Sequence, residues 1–410
     1  MQVTVGELAH GGAALARVDG RVVFVEGAIP GETVEADITH RRKDFWRAQA
    51  TAVLAPAEAR VVPPCPFFNA GCGGCQLQYV AYSEQLALKR QVLHRQLQRA
   101  GLDVSIDRID VLSMDDPWRY RLRGEFHVLR RGGAVSLGFY RKHTYQTLPI
   151  DACLIHADAI ERALPAFARA AEDPAAARVT ALQFTWAPGT SDLLWAPYPP
   201  GSADPGFGAR AAALVPELNL NDDSIGMDDV GRHFRVRPET FVQVNVRQRA
   251  VLYERALVFA DLDANARVVD AYAGIGMLTA RLADGAAKVI AVEESPYSVR
   301  LGQLNMQLNG IGNVSYRRAR VEDSAGQIEQ PIDVLVLDPP RAGCAEAAVD
   351  AMAKLAPERI VYISCEPSTL ARDVTRFCAA GRYTLVEVAL VDMFPQTYHI
   401  EAVVKLQRNA

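Results

Sequence analysis

The chain has 410 residues, half of them hydrophobic, which is enough apolar material for two or three cores and predicts a multidomain protein. No apolar run approaches the roughly 18 residues of a membrane span and no signal-peptide pattern opens the chain, so a cytoplasmic protein without a membrane partner is expected. A net charge of −4 excludes a uniformly basic nucleic-acid binder and requires any positive surface to be local.

In chain order, the first unit covers residues 1–54. Short β-rich stretches, Arg21 to Val25 and Thr33 to Ile38, are punctuated by Gly11-Gly12, Asp19-Gly20 and Pro30-Gly31, the cadence of a small barrel. It resembles the TRAM domain, an OB-like RNA-binding barrel, and Arg41 to Arg47 with Phe45 and Trp46 supplies charge and aromatics for single-stranded nucleic acid. A purely structural barrel is the alternative.

After the linker Ala55-Pro56-Ala57-Glu58, three thiols cluster in a Pro/Gly-rich loop as Cys65, Cys72 and Cys75, with Cys153 a distant fourth. Such a set can hold zinc or an iron–sulfur cluster, and spacing alone leaves the two near even. Disulfides are disfavoured by the seven cysteines and the missing signal peptide. Tyr82 to Ala100 reads as a helix with Leu86, Leu93 and Leu97 on one stripe. A β-rich central domain is assigned to residues 55–75 and 107–235, with a loop from Ala187 to Pro216. Between Trp118 and Tyr145 it carries Arg119, Arg121, Arg123, Arg130, Arg131, Arg141 and Lys142, interleaved with aromatics such as Phe139 and Tyr140. This reads as an RNA-binding face, the alternative being an ordinary solvated sheet. Asp222-Asp223 and Asp228-Asp229 form an acidic loop expected to face away from RNA.

Residues 76–106 and 236–410 are assigned to a third domain, whose strands end in chemistry. Arg267 to Asp270 is a β-branched run that leads to Tyr272 and a Gly274-x-Gly276 turn. Lys288 to Glu293 ends in a carboxylate spaced to pair with ribose hydroxyls, and Asp333 to Leu337 runs into Asp338-Pro339-Pro340-Arg341. Val361 to Ser364 delivers Cys365 just before Glu366-Pro367. Four strand ends on one sheet edge place Tyr272, Glu293, Asp338 and Cys365 where open α/β sheets bind ligands. No third glycine cradles a pyrophosphate, so a phosphate-free nucleoside ligand such as S-adenosylmethionine fits better than a dinucleotide. The strand end and the following helix N-terminus both favour a thiolate at Cys365.

The motifs together resemble the RNA uracil-5 methyltransferase family. Phe241-Val242-Gln243-Val244-Asn245 looks like its F-x-Q-x-N segment, Asp270 to Gly276 its glycine-rich loop, and Asp338 to Arg341 its D-P-P-R. Ser364-Cys365-Glu366-Pro367 is similar to its S-C-N-P nucleophile motif, and Phe394 to Glu401 to its F-P-x-T-x-H-x-E base motif. The resemblance implies a class I, Rossmann-like α/β methyltransferase sheet with an N-terminal TRAM barrel and a central domain holding a Cys₄ site. It implies that Gln243, Tyr272, Glu293 and Asp338 contact S-adenosyl-L-methionine, that Cys365 is the nucleophile and that Glu401 accepts the proton. It also implies a [4Fe–4S] cluster on Cys65, Cys72, Cys75 and Cys153. Two departures stand out: Glu366 replaces the usual Asn beside the thiol, and Met277 takes a slot often held by Asn.

The chemistry needs these residue types. Carbon 5 of uracil is too weak a nucleophile to attack a sulfonium methyl until a thiolate adds at carbon 6, and a carboxylate must then remove the carbon 5 proton. The alternative for Glu401 is an acid at the start of an edge strand. His399 is placed to orient that carboxylate, and Cys344 is close enough to Asp338 to compete as nucleophile. The resemblance also implies RNA as the partner of a monomer, with 23S ribosomal RNA favoured because the barrel and cysteine set resemble the large-subunit enzymes, and transfer RNA at uridine 54 the alternative. Cytosine-5 methylation and an inactive RNA-binding factor complete the readings.

Overall fold

The structure is a computed structural model that describes residues 1–409. Alternating apolar residues build the N-terminal sheet: Val3, Val23, Val25, Val34 and Ala36 turn to one face and form its core. Its five strands run in the order Gln2–Thr4, Thr33–Arg41, Phe45–Ala55, Arg21–Glu26, Ala14–Val18. The tight turn between the last two uses Asp19 and Gly20, both at positive φ, as a two-residue hairpin demands. Glu32, fully buried, ties this unit to the linker by accepting from the Ala57 N–H at 3.1 Å and makes two 2.6 Å contacts with the Arg60 guanidinium just beyond it.

The central domain is a six-stranded sheet in the order Asn219–Asn221, Asp192–Tyr198, Ala181–Trp186, Arg123–Arg131, Ala134–Tyr140, Thr147–Pro149. The helices Asp158–Ala170 and Phe207–Ala212 close it over a core of Phe126, Phe167, Phe184, Trp195 and Phe207. The segment from Ala187 to Pro216, read from its composition as a loop, thus contains a strand and a helix.

The third domain is an eight-stranded sheet in the order Val314–Arg318, Lys288–Glu293, Arg267–Ala271, Val334–Leu337, Arg359–Ser364, Glu401–Arg408, Tyr383–Val391, Ile109–Leu112. The first five are parallel, and Glu401–Arg408 is antiparallel to both neighbours. Side-chain alternation splits the strands between two cores. Val268, Val336 and Val361 face the helices Val246–Ala260 and Met277–Gly285, while Val269, Leu335 and Tyr362 face Tyr82–Arg99 and Pro367–Cys378.

Two segments that the sequence assigned to the central domain pack here instead. Ile109–Leu112 is the edge strand, parallel to Tyr383–Val391. The hairpin Ile225–Asp229 and Arg232–Val236 contributes Met227, Phe234 and Val236 to the core beneath the helices Val246–Ala260 and Met277–Gly285. Asp229, expected in an acidic loop facing away from RNA, is buried in ion pairs with Arg249 at 2.9 Å and Arg281 at 2.7 Å. The helix Tyr82–Arg99 buries Gln85, Leu88, Lys89, Val92, Leu93 and Leu97, so the inner face includes two polar residues and omits Leu86. Among the described residues no helix is long and apolar enough to cross a membrane.

Candidate active site

The carboxyl ends of the parallel strands open on a cavity of about 790 Å³ lined by Gln243, Tyr272, Glu293, Asp338, Cys365 and Glu401. The strand Arg267–Ala271 ends at Tyr272, which adopts a left-handed backbone at φ 69°, followed by Gly274 at 54° and Gly276 at 89°. At Gly276 a side chain would strike the Tyr316 hydroxyl and Met306, so the turn requires glycine there. Glu293 accepts hydrogen bonds from the Gly274 N–H at 3.0 Å and the Ser295 N–H at 2.8 Å. Each oxygen keeps a lone pair for a hydroxyl in the cavity.

Asp338 sits 3.4 Å from the Gln243 amide nitrogen, and burial pushes its carboxyl up to about 7. Asp270, one strand over and also raised to about 7 by burial, accepts from the Thr279 hydroxyl at 2.5 Å and stays beneath the turn. Met277 is packed in the core, so the position where the resemblance implies an Asn makes apolar contact here.

Cys365 follows the strand Arg359–Ser364 and precedes the helix Pro367–Cys378. Its thiol is pushed up to about 11, first by burial and then by Glu401, with Arg341 opposing. Burial and the facing carboxylate thus act against the thiolate that the helix N-terminus favours. Glu366 is not aimed at the sulfur. It caps the helix, accepting from the Ser368 N–H at 3.4 Å and the Ser368 hydroxyl at 2.8 Å, and lies 3.4 Å from His10 Nδ1 of the N-terminal domain. The carboxylate thus performs the capping an Asn would.

Glu401 opens the last-but-two strand in sheet order and is 3% exposed. Burial, then Asp338, raises its carboxyl well above the usual range, and Arg341 opposes. His399 does not orient it. Among the described residues the imidazole's side-chain partner is Arg341, which donates to Nδ1 at 2.6 Å. Cys344 is also excluded from the cavity: it is 2% exposed, with Sγ 3.6 Å from the Tyr362 hydroxyl.

Cys65, Cys72, Cys75 and Cys153 line a second cavity of about 420 Å³, and Arg121 and Arg341 line both this one and the first. All four thiols are free. Burial pushes Cys75 up to about 12 and Cys153 up to about 11, with neighbouring cysteines adding to it. The Gly74 N–H points at Cys72 Sγ at 3.5 Å, and His156 lies 3.1 Å from Cys153 Sγ while its buried Nε2 has no partner among the described residues. Among the described residues no three His, Cys, Asp or Glu side chains stand at the spacing of a single metal ion.

A third opening, about 1160 Å³, lies between the N-terminal sheet and the hairpin Arg123–Arg131 and Ala134–Tyr140. Tyr145 is 91% exposed on its rim, 5.7 Å from Tyr140, which stacks on His127 at 3.7 Å. The basic stripe predicted here is largely spent inside the protein. Arg119 pairs with Asp158 and Glu161, Arg123 with the carbonyls of Pro238 and Thr240, Arg130 with those of Ala176 and Val179, and Arg141 with that of Ala70. Lys142 lies over the Phe68 ring. On the N-terminal sheet, Arg21 and Arg41 both lie over the Trp46 ring.

Sequence reasoning missed what braces this site. The Lys89 ammonium, 2.6 Å from Asp392, also donates to the Phe394 carbonyl at 3.0 Å, and Asn245 donates to that of Met393 at 3.1 Å. Asn245 at least lies in a recognised motif. Lys89 carries no local signal, because its partner is about three hundred residues away.

Residues 209–409 match the model of the tRNA (uracil-5-)-methyltransferase family, and residues 1–51 match the TRAM domain. An uncharacterized RNA methyltransferase of Halalkalibacterium halodurans is 31% identical over 99% of this chain and 96% of its own length. One of Clostridium tetani is 32% identical over 96% of this chain and 93% of its own. The fold is shared with the tRNA (uracil-54, C5)-methyltransferase of Pyrococcus abyssi, solved with S-adenosyl-L-homocysteine. The TM-score is 0.75 at 20% identity, over 99% of this chain and 100% of that one.

Proposed function

The chain belongs to the RNA uracil-5 methyltransferase family, and on that premise we propose that it methylates carbon 5 of a uridine in RNA, with S-adenosyl-L-methionine as donor and 23S ribosomal RNA as the substrate class. The observation that carries this reading is the convergence of Cys365, Glu401, Asp338 and Glu293 on one cavity. The donor supplies an electrophilic methyl on a cationic sulfur. Glu293 accepts its ribose hydroxyls, Gln243 and Asp338 form the polar wall beside them, Tyr272 adds an aromatic wall, and the carboxylates suit a cation.

Cys365 Sγ, deprotonated, bonds to carbon 6 of the uracil. The carbon 5–carbon 6 π electrons move toward the carbon 4 carbonyl, which leaves carbon 5 nucleophilic. Carbon 5 takes the methyl as the donor's carbon–sulfur bond breaks. Glu401 removes the proton from carbon 5, the carbon 5–carbon 6 double bond re-forms, and Sγ leaves as thiolate. Arg341 opposes the burial that holds Cys365 and Glu401 protonated. Phe241, two-thirds exposed at the cavity mouth, is positioned to stack on an extruded base.

The four thiols favour a [4Fe–4S] cluster over zinc, held by Cys65, Cys72, Cys75 and Cys153. The cleft rimmed by Tyr140 and Tyr145 offers unstacked RNA bases a stacking surface, with the TRAM domain as its opposite wall. Transfer RNA remains the second reading, because the model matched by residues 209–409 is named for tRNA. Nucleoside mass spectrometry of both RNA classes from cells lacking the protein separates the two. Loss of a 5-methyluridine from 23S rRNA supports the first, loss from tRNA alone the second, and no loss from either contradicts both.

A further inference from the structure

We infer that Gln85 is a positioning residue for Glu401, acting through Gln396, and that it serves the proton-removal step selectively. The inference rests on reading Glu401 as the base. Residues 392–400 connect the antiparallel strands Tyr383–Val391 and Glu401–Arg408, whose register pairs Val391 with Glu401. The path of this connection therefore sets where the carboxylate begins. At its turn stands Gln396, 3% exposed and in a left-handed backbone at φ 68°, a conformation a non-glycine residue holds only when its surroundings fix it.

Gln85 supplies that fixing. Its Oε1 accepts from the Gln396 N–H at 3.0 Å, and its Nε2 donates to Gln396 Oε1 at 3.0 Å, a reciprocal amide pair. The same Nε2 lies 3.1 Å from the Leu77 carbonyl and 2.9 Å from that of Val80. The Gln396 carbonyl in turn accepts from the N–H groups of Gln76 and Leu77, at 3.0 and 2.9 Å. One buried amide, 1% exposed, thus binds the helix Tyr82–Arg99, the end of the cysteine loop and the base-bearing connection into one network. Cys365 is carried by a different connection, from the strand Arg359–Ser364 into the helix Pro367–Cys378. Loosening Gln396 displaces the base while leaving the nucleophile in place.

The test compares two labels in single-turnover reactions of the full chain: methyl carried from labelled donor, and tritium released from RNA made with 5-tritiated uridine. In Gln85→Leu, which matches the volume but cannot pair, methyl transfer stays near wild type while tritium release slows on the order of ten- to a hundred-fold, as misplacing a reacting group does. A methylated protein–RNA adduct accumulates alongside. Should Gln85→Leu not fold, Gln396→Asn decides, since Asn tolerates the left-handed backbone but draws the amide away from Gln85. A parallel fall of both labels, or a change in neither, overturns the inference. Glu401→Gln run beside them separates the two levels: if it releases tritium at the wild-type rate the base reading itself fails, and if it stalls while both glutamine variants do not, only Gln85's role is lost.

Discussion

Arg341 donates a hydrogen bond to His399 Nδ1 across 2.6 Å, and the same guanidinium is the cation that lowers the Cys365 thiol against its burial. His399 is pushed down to about 3, by burial first and then by Arg341, so it remains a neutral acceptor at any working pH. The pair fixes the guanidinium between two groups that must both lose protons, Cys365 and Glu401.

Turnover should accordingly rise with pH above neutrality, because the thiol is raised to about 11 and the Glu401 carboxyl is raised as well. Removing the cation with Arg341→Ala raises both further. The expected result is a loss of about a hundredfold in kcat/KM at neutral pH and a rising limb displaced to higher pH. A pH–rate profile measures this, and an unmoved limb would show that Arg341 does not face the titrating groups.

Asp270 gives a stability prediction with a definite sign. Its carboxyl titrates at about 7 in the folded chain, raised by burial, against about 4 when unfolded. The folded state therefore holds the proton more tightly, so this group's stabilisation is complete below about pH 4 and is lost as pH rises toward 7, to the extent of about 4 kcal/mol or less. Asp270→Asn should flatten that slope and melt above wild type at pH 8, an order that thermal melts at several pH values check.

Glu366 should be replaceable by Asn and not by Ala. Asn keeps the cap on the helix Pro367–Cys378, whereas Ala leaves the first turn unpaired at a cost of about 1 kcal/mol. Melting temperature and single-turnover methylation report the two effects. Loss of activity in Glu366→Asn would assign the carboxylate a role beyond capping.

Purified without air, the protein should be brown and contain iron and sulfide, and Cys153→Ala should bleach it. Its thiol is one of four on the cavity, and three ligands hold a cluster less well. A colourless anaerobic preparation with stoichiometric zinc contradicts the assignment.

What could be read in the sequence follows from where its signals lie. Buried parallel strands are continuous β-branched runs, so Arg267–Ala271, Lys288–Glu293, Val334–Leu337 and Arg359–Ser364 were legible together with the residues that end them. Ile109–Leu112 was not: four residues without a turn signal gain a place in the sheet only through Tyr383–Val391, far along the chain. Periodicity found the helix Tyr82–Arg99 with Leu93 and Leu97 on its inner face but missed two polar residues there for a related reason. Gln85 and Lys89 look like surface residues until Gln396 and Asp392 are beside them. Charge in a sequence does not reveal whether a carbonyl already holds it, so the internal pairing of the central-domain arginines was not legible. The upward shift of Cys365 comes first from burial and then from a facing carboxylate thirty-six positions away, and no local pattern encodes either.

The most direct test of Cys365 and Glu401 as nucleophile and base is the fate of Glu401→Gln on RNA with labelled donor. With the base gone, carbon 5 carries both methyl and proton, and Sγ of Cys365 cannot leave carbon 6. The predicted result is a methylated protein–RNA adduct on denaturing gels that is absent from the Cys365→Ser, Glu401→Gln double variant. Wild-type turnover in Glu401→Gln, or an adduct that survives Cys365→Ser, would contradict it.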